Sequence, residues 1–151
     1  MIDVLVKLIE QLPSYVIEIG VFTTKSKRKK VKVGITNAEL MFIHENGSPL
    51  KNIPARPVLQ MTIDYVNKEL LNETIDRCID KYLSTFDEKE IEVELNKLCI
   101  RMENYAKSLI YDNDGRLIAN APSTIKKKGD NHPLFDTGQL ARSITCRLIK
   151  S

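Results

Sequence analysis

The sequence predicts an α+β fold: a small antiparallel sheet packed against a long helix, with a second long helix and an irregular C-terminal region. Short β-branched or alternating runs supply the strands, at residues 15–22, 31–35 and 143–149. Between them, apolar residues recur at helical spacing over residues 57–83 and again from Ile91 to Leu109. Size is the third observation: 151 residues suit one core, and no linker or internal repeat divides residues 1–151 into two domains.

Each element has a local reason. Ile2, Leu5, Leu8, Ile9 and Leu12 form one stripe that Asp3 can cap and Pro13 stops, giving a short helix over residues 3–12. Tyr15-Val-Ile-Glu-Ile-Gly-Val-Phe22 reads as the first strand. Val31, Val33 and Ile35 alternate with Lys30, Lys32 and Gly34, so a half-buried strand follows and the basic residues between become a hairpin loop. Thr36-Asn-Ala-Glu39 has the form of a capping box, and Gly47 suits the left-handed residue that ends the helix it opens. Residues 48–57 hold Pro49, Pro54 and Pro57 and cannot be regular, but Pro57 is well placed to begin the next helix.

Leu59, Ile63, Val66 and Leu70 make one stripe of that helix, continued by Leu71, Ile75, Cys78 and Tyr82. Thr85 and Glu88 offer a second capping box. Ile91, Leu95, Leu98, Met102, Tyr105 and Leu109 then form a narrow seam, the pattern of a helix packed along a partner in a hairpin within one subunit. Asp112-Asn-Asp-Gly115 is a turn, and the chain from Arg116 reads as mostly irregular up to Asp136. Asp136 can cap a short helix, with Gln139 in the reciprocal position. The final strand, residues 143–149, places Ile144, Cys146 and Leu148 on one face and is expected to pair with residues 16–22.

Composition narrows the function classes. With 42% hydrophobic and 28% charged residues the chain is neither disordered nor low-complexity. It has no apolar run long enough to span a membrane, and its N-terminus lacks the basic region of a signal peptide. Cys78, Cys99 and Cys146 are odd in number and set among apolar residues, which favours buried, reduced thiols in a cytosolic setting. The net charge of +3 is weak evidence, but its distribution is uneven. Lys25, Lys27, Arg28, Lys29 and Lys30 form one cluster, and Lys126, Lys127 and Lys128 a second, both in segments with loop chemistry. They read either as a solvated hairpin tip and a mobile loop or as contacts with DNA or an acidic neighbour.

Nothing points to catalysis or to a cofactor. His44 and His132 lie far apart without cysteines or carboxylates at ligand spacing, and no glycine-rich phosphate loop or nucleophile elbow occurs. The acidic turn lacks the downstream Glu of an EF-hand loop.

Two stretches go beyond generic fold signals. One is His44-Glu-Asn-Gly47 followed by Ile53-Pro-Ala-Arg-Pro57; the other is Ala121-Pro-Ser-Thr-Ile-Lys-Lys-Lys-Gly129 running into Pro133-Leu-Phe-Asp-Thr-Gly-Gln-Leu140. In this order they resemble the tail-component and virion-morphogenesis families of tailed bacteriophages, over most of the chain. One departure is Val58, where a Phe usually follows the Arg-Pro pair.

The resemblance implies a non-enzymatic subunit of a ring, a hexamer, at the head-tail junction or the end of the tail. Its partners would be further copies of itself, neighbouring neck or tail-tube proteins, and DNA passing through the channel, with no membrane. Its location would be the virion, after assembly in the host cytoplasm. Pro54, Pro57, Asp136, Thr137 and Gly138 would be structural, and the two basic clusters would face an interface or DNA, while the planar fork of Arg56 would clamp a carboxylate or backbone carbonyls either within the subunit or across the interface. The alternatives are a minor capsid or morphogenesis factor and, from another class, a small nucleic-acid-binding protein.

Overall fold

The structure is a computed structural model and describes residues 2–22 and 34–151. In chain order it contains α1 (Ile2–Glu10), β1 (Tyr15–Gly20), α2 (Asn37–Asn46), a 3-10 turn (Pro49–Lys51), α3 (Val58–Tyr65) and a π turn (Val66–Leu70). There follow α4 (Leu71–Thr85), α5 (Lys89–Tyr111), α6 (Pro122–Lys128), α7 (Gln139–Ser143) and β2 (Thr145–Lys150). The expected class is the observed one: a small antiparallel sheet packs against long helices. The strand expected at residues 31–35 lies largely outside the described residues, as does the whole basic cluster from Lys25 to Lys30.

The sheet joins the two ends of the chain. β1 and β2 pair antiparallel from Tyr15↔Lys150 to Gly20↔Thr145, the pairing expected for the last strand. Glu18 faces Arg147 across the pair at 2.6 Å, and the Arg147 guanidinium lies 3.9 Å over the Phe22 ring. α5 supports the sheet from behind. Its Glu103 accepts the Cys146 amide at 3.1 Å, and Glu92, with Glu88 just ahead of the helix, holds the Lys150 ammonium.

The long helix expected over residues 57–83 forms, with an interruption. Its buried row is Val58, Thr62, Val66, Leu70, Thr74 and Cys78, every fourth residue. On an ideal helix such a row drifts by about 40° per step. The wider π turn between α3 and α4 takes up part of that drift and keeps the row on α5. The expected stripe is therefore partly displaced: Ile63 and Ile75 are exposed, and Thr62 and Thr74 take inward positions by donating to the Val58 and Leu70 carbonyls.

The seam of α5 packs as expected, with Ile91, Leu98, Met102 and Leu109 buried against the partner helices. Arg77 of α4 also reaches the buried Glu94 of α5 at 3.2 Å, beside Lys97 at 2.6 Å. One cluster of buried residues centres on Val58, Ala106, Leu109, Ile110, Leu140 and Ile144; a second joins Val66, Leu70, Leu98 and Met102.

Several local expectations need correction. The Thr36–Glu39 capping box forms, but the one at Thr85 and Glu88 does not. Phe86 there takes a left-handed conformation, and the Asp87 carboxylate accepts the Lys89 amide instead. Residues 122–128 are helical rather than irregular, begun by Pro122 and ended by the left-handed Gly129. Lys126, Lys127 and Lys128 thus occupy the last turn of α6, where cations complement the exposed carbonyl end.

Asp136 is not a cap either: α7 starts after Gly138, with no side-chain capping bond. The chain turns at Gly138 with φ 73°, and a Cβ there would sit 2.9 Å from the Arg142 guanidinium and 3.2 Å from the Phe135 ring. The cysteines are free, as expected, but not scattered, for the Cys99 and Cys146 sulfurs lie 2.8 Å apart. Burial pushes both thiols above their ordinary pKa.

Candidate functional site

The two motif stretches, more than 60 residues apart in the chain, meet in space. They line one pocket, and Arg56 holds the segment that leads into the second: its Nε donates to the Ile118 carbonyl at 2.7 Å across 62 residues and its Nη2 donates to the Ala119 carbonyl at 2.9 Å. Arg56 is 5% exposed, and burial pushes its pKa down. The planar donor fork serves the chain's own backbone. Of the two partners expected for that fork, within the subunit or across a ring, the described residues supply the first.

Around Arg56 the first motif builds a tight corner. The Arg56 amide donates to the His44 carbonyl at 2.6 Å, and the Ser48 and Ile53 backbones pair to close the loop between them. Gly47, at φ 72° and ψ 178°, packs so close that a Cβ would meet the Ala55 nitrogen at 2.8 Å and the Ile53 oxygen at 2.9 Å. Only glycine fits that backbone region and that space.

Pro54 is exposed on the outer side of the corner, while Pro57 immediately precedes α3 and accepts the Met61 amide through its carbonyl. The Glu45 carboxylate supplies what Pro57 lacks as a cap, accepting the Leu59 amide at 3.0 Å and the Gln60 amide at 2.7 Å. Val58, where the resembled families usually carry Phe, is fully buried in the main core cluster.

The second motif folds over this corner. Lys128 donates to the carbonyls of His132 and Phe135, tying the end of α6 to the turn that follows. His132 stacks on Phe135 with ring centroids 4.5 Å apart and contacts the Ile110 carbonyl through Nε2. Lys126 and Lys127 are exposed on the same helix. Asp136 and Thr137 are exposed beside Gly138, at the mouth of a pocket of about 210 Å3.

That pocket is where the motifs converge: Arg56 and His44 line one side, and Asn120, Lys128 and residues 134–140 line the other. Two polar atoms of its lining, His44 Nδ1 and Asn120 Nδ2, are buried without a hydrogen-bond partner. Such atoms call for water or a polar group from outside. Burial, helped by the neighbouring Arg56 charge, pushes His44 down to about 4, so its ring is neutral near pH 7. His44 opens the first motif but nothing in the sequence marked it as facing a pocket, and Asn120 carried no signal at all.

The arrangement holds backbone segments together. Arg56, Lys128 and Glu45 are all committed to main-chain groups. Among the described residues no group of His, Cys, Asp or Glu side chains converges to hold a metal, and no helix is long and apolar enough to cross a membrane. No known family model, curated protein or solved structure matches this chain.

Proposed function

We propose that this chain is a structural subunit of a tailed-phage neck or tail-terminating ring, a hexamer located in the virion and built in the host cytoplasm. The observation that carries the reading is that the two motif stretches line one pocket, with Arg56, Glu45 and Lys128 each committed to main-chain groups around it. Residues that form the resemblance serve as braces for main-chain corners, which is what a ring subunit needs to hold its exposed loops at fixed angles. Such corners also carry less freedom to lose on assembly, because Pro49, Pro54 and Pro57 restrict the unfolded chain. Head-to-tail contacts related by a closing rotation then give a ring. Neck or tail-tube proteins would be its neighbours on either side, and DNA would pass through the centre.

Electron microscopy of virions with antibody against this chain tests the reading. Label is expected at the junction of head and tail, and particles made without the protein are expected to have unjoined heads and tails. Label confined to the capsid lattice would instead favour a minor capsid role. The exposed Lys126 and Lys127, with residues 25–30 outside the described part, keep a nucleic-acid-binding reading as the alternative. Tight duplex binding by the free protein, falling steeply with salt, would support that alternative.

A further inference from the structure

Cys146 of β2 is held twice by one face of α5. Its sulfur lies 2.8 Å from that of Cys99, and its amide donates at 3.1 Å to the Glu103 carboxylate, about one helical turn further along. Both sulfurs are free thiols, 47 residues apart in the chain. A disulfide needs a separation of about 2.05 Å, so a shift of about 0.8 Å joins them. A pair this close differs from a lone buried thiol, which packs as a small apolar group. The third cysteine, Cys78, is buried on α4 and fits that second description.

Access to the pair is uneven. Cys99 is buried whereas Cys146 is partly exposed, so an oxidant from solvent meets Cys146 first and Cys99 stands behind it as the resolving thiol. Burial holds both thiols above their ordinary pKa, and the Glu103 carboxylate adds to the effect. Scarce thiolate makes exchange slow, which suits a bond formed once better than a pair that turns over.

The position of the pair gives such a bond a consequence. Among the described residues β2 pairs only with β1, and a two-stranded sheet has little stability of its own. α5 supplies the rest of the hold, at Cys146 and at Lys150. A covalent link between Cys99 and Cys146 therefore fastens β2, and through it β1, to the helix.

We propose that Cys99 and Cys146 form a redox-sensitive latch, closed by a low-molecular-weight disulfide that oxidises the pair to an intramolecular disulfide. The Cys146 thiolate attacks the small disulfide and breaks its S–S bond; the thiolate that leaves takes up the proton Cys146 gave up. The Cys99 thiolate then displaces the second small thiol from Cys146. Two protein thiols and one small disulfide thus become one protein disulfide and two small thiols. In the loop-closure limit, linking residues 47 apart raises the folding equilibrium constant by about a thousand-fold. The latch stands apart from the ring-subunit reading.

The test is incubation of the full-length protein with oxidised glutathione, followed by intact mass, thiol titration in denaturant and urea unfolding. The mass is expected to fall by two hydrogens, one of the three thiols to remain titratable, and a non-reducing peptide map to join Cys99 to Cys146. The urea midpoint should rise, amide exchange in β1 and β2 should slow, and dithiothreitol should reverse both. Cys78→Ala should respond to the oxidant as wild type does, and Cys99→Ala and Cys146→Ala should gain no stability from it. Three titratable thiols after prolonged incubation, a glutathione adduct that persists on Cys146, or a link through Cys78 would overturn the pairing. A Cys99–Cys146 bond that leaves the urea midpoint unchanged or lower would overturn the latch. Should an alanine variant fold poorly, the wild-type peptide map and its midpoints with and without dithiothreitol decide the matter alone.

Discussion

Replacing Arg56 by Lys keeps the charge and removes the fork. Arg56 is 5% exposed, with bonds of 2.7 Å and 2.9 Å to the Ile118 and Ala119 carbonyls. A lysine ammonium can satisfy one of these at best. Hydrogen bonds to charged groups contribute about 1.5–3 kcal/mol each. Ile118 is itself 58% exposed, so water can replace the lost donor, which sets the expected destabilisation near the lower end, about 2 kcal/mol. In a chain of this size that lowers the melting temperature by about 4–8 °C.

Urea denaturation followed by circular dichroism measures the loss, and amide hydrogen exchange in α6 localises it. The Thr124 and Ile125 amides bond back to the Ala121 carbonyl, just beyond the anchored segment, so their protection should fall more than that of α5. Arg56→Met adds an independent readout. Removing the charge takes away one of the two influences that depress His44, so the His44 pKa should rise from about 4 while burial still holds it below its ordinary value. An unchanged urea midpoint and unchanged α6 protection in Arg56→Lys would refute the bracing role.

Three further outcomes follow from the same corner. Gly47→Ala should destabilise by about 3 kcal/mol in urea titration, because its φ of 72° is strained for alanine and the new Cβ meets backbone atoms at 2.8–2.9 Å. His44 is protonated more readily in the unfolded chain, at about 6.5, than in the folded one, at about 4, so its contribution is complete above pH 6.5 and lost as pH falls toward 4. The full gap is worth about 3 kcal/mol. Solvent screening at this partly exposed ring reduces the expected loss to about 1–2 kcal/mol, read as the difference in pH dependence between wild type and His44→Gln. Asp136→Ala should change stability by about 0.5 kcal/mol or less, since Asp136 is exposed and does not cap α7, and a larger drop in the urea midpoint would restore the capping role.

Local chemistry made much of this fold legible. Thr36 and Glu39 mark the start of α2 because a capping box closes within four residues, and the 4-3 spacing from Ile91 to Leu109 marks α5 because it repeats over many turns. The signals for α6 were also present, in Pro122 at its first turn and Gly129 past its end, but a seven-residue helix has too few turns for periodicity to emerge. Asp136 carried a capping signal without the cap, because Gly138 turns the chain after it and α7 begins beyond its reach. The candidate site was half legible: its motifs stood out, while their meeting did not.

The long helices, the terminal strands and the glycine and proline at the motif corners are all legible in the sequence. These depend on neighbours a few residues apart, and the chemistry of those neighbours is read directly from the sequence. Which faces are covered depends instead on how the helices pack. The row from Val58 to Cys78 was chosen by packing on α5, which left Ile75, Ile79 and Leu83 outside although their spacing is as helical as that of the buried row. Likewise Arg56 looked like a displayed cation until a backbone segment 62 residues away supplied its acceptors. Burial of a charged group depends on partners that satisfy it, and those partners are fixed by how the chain folds back on itself.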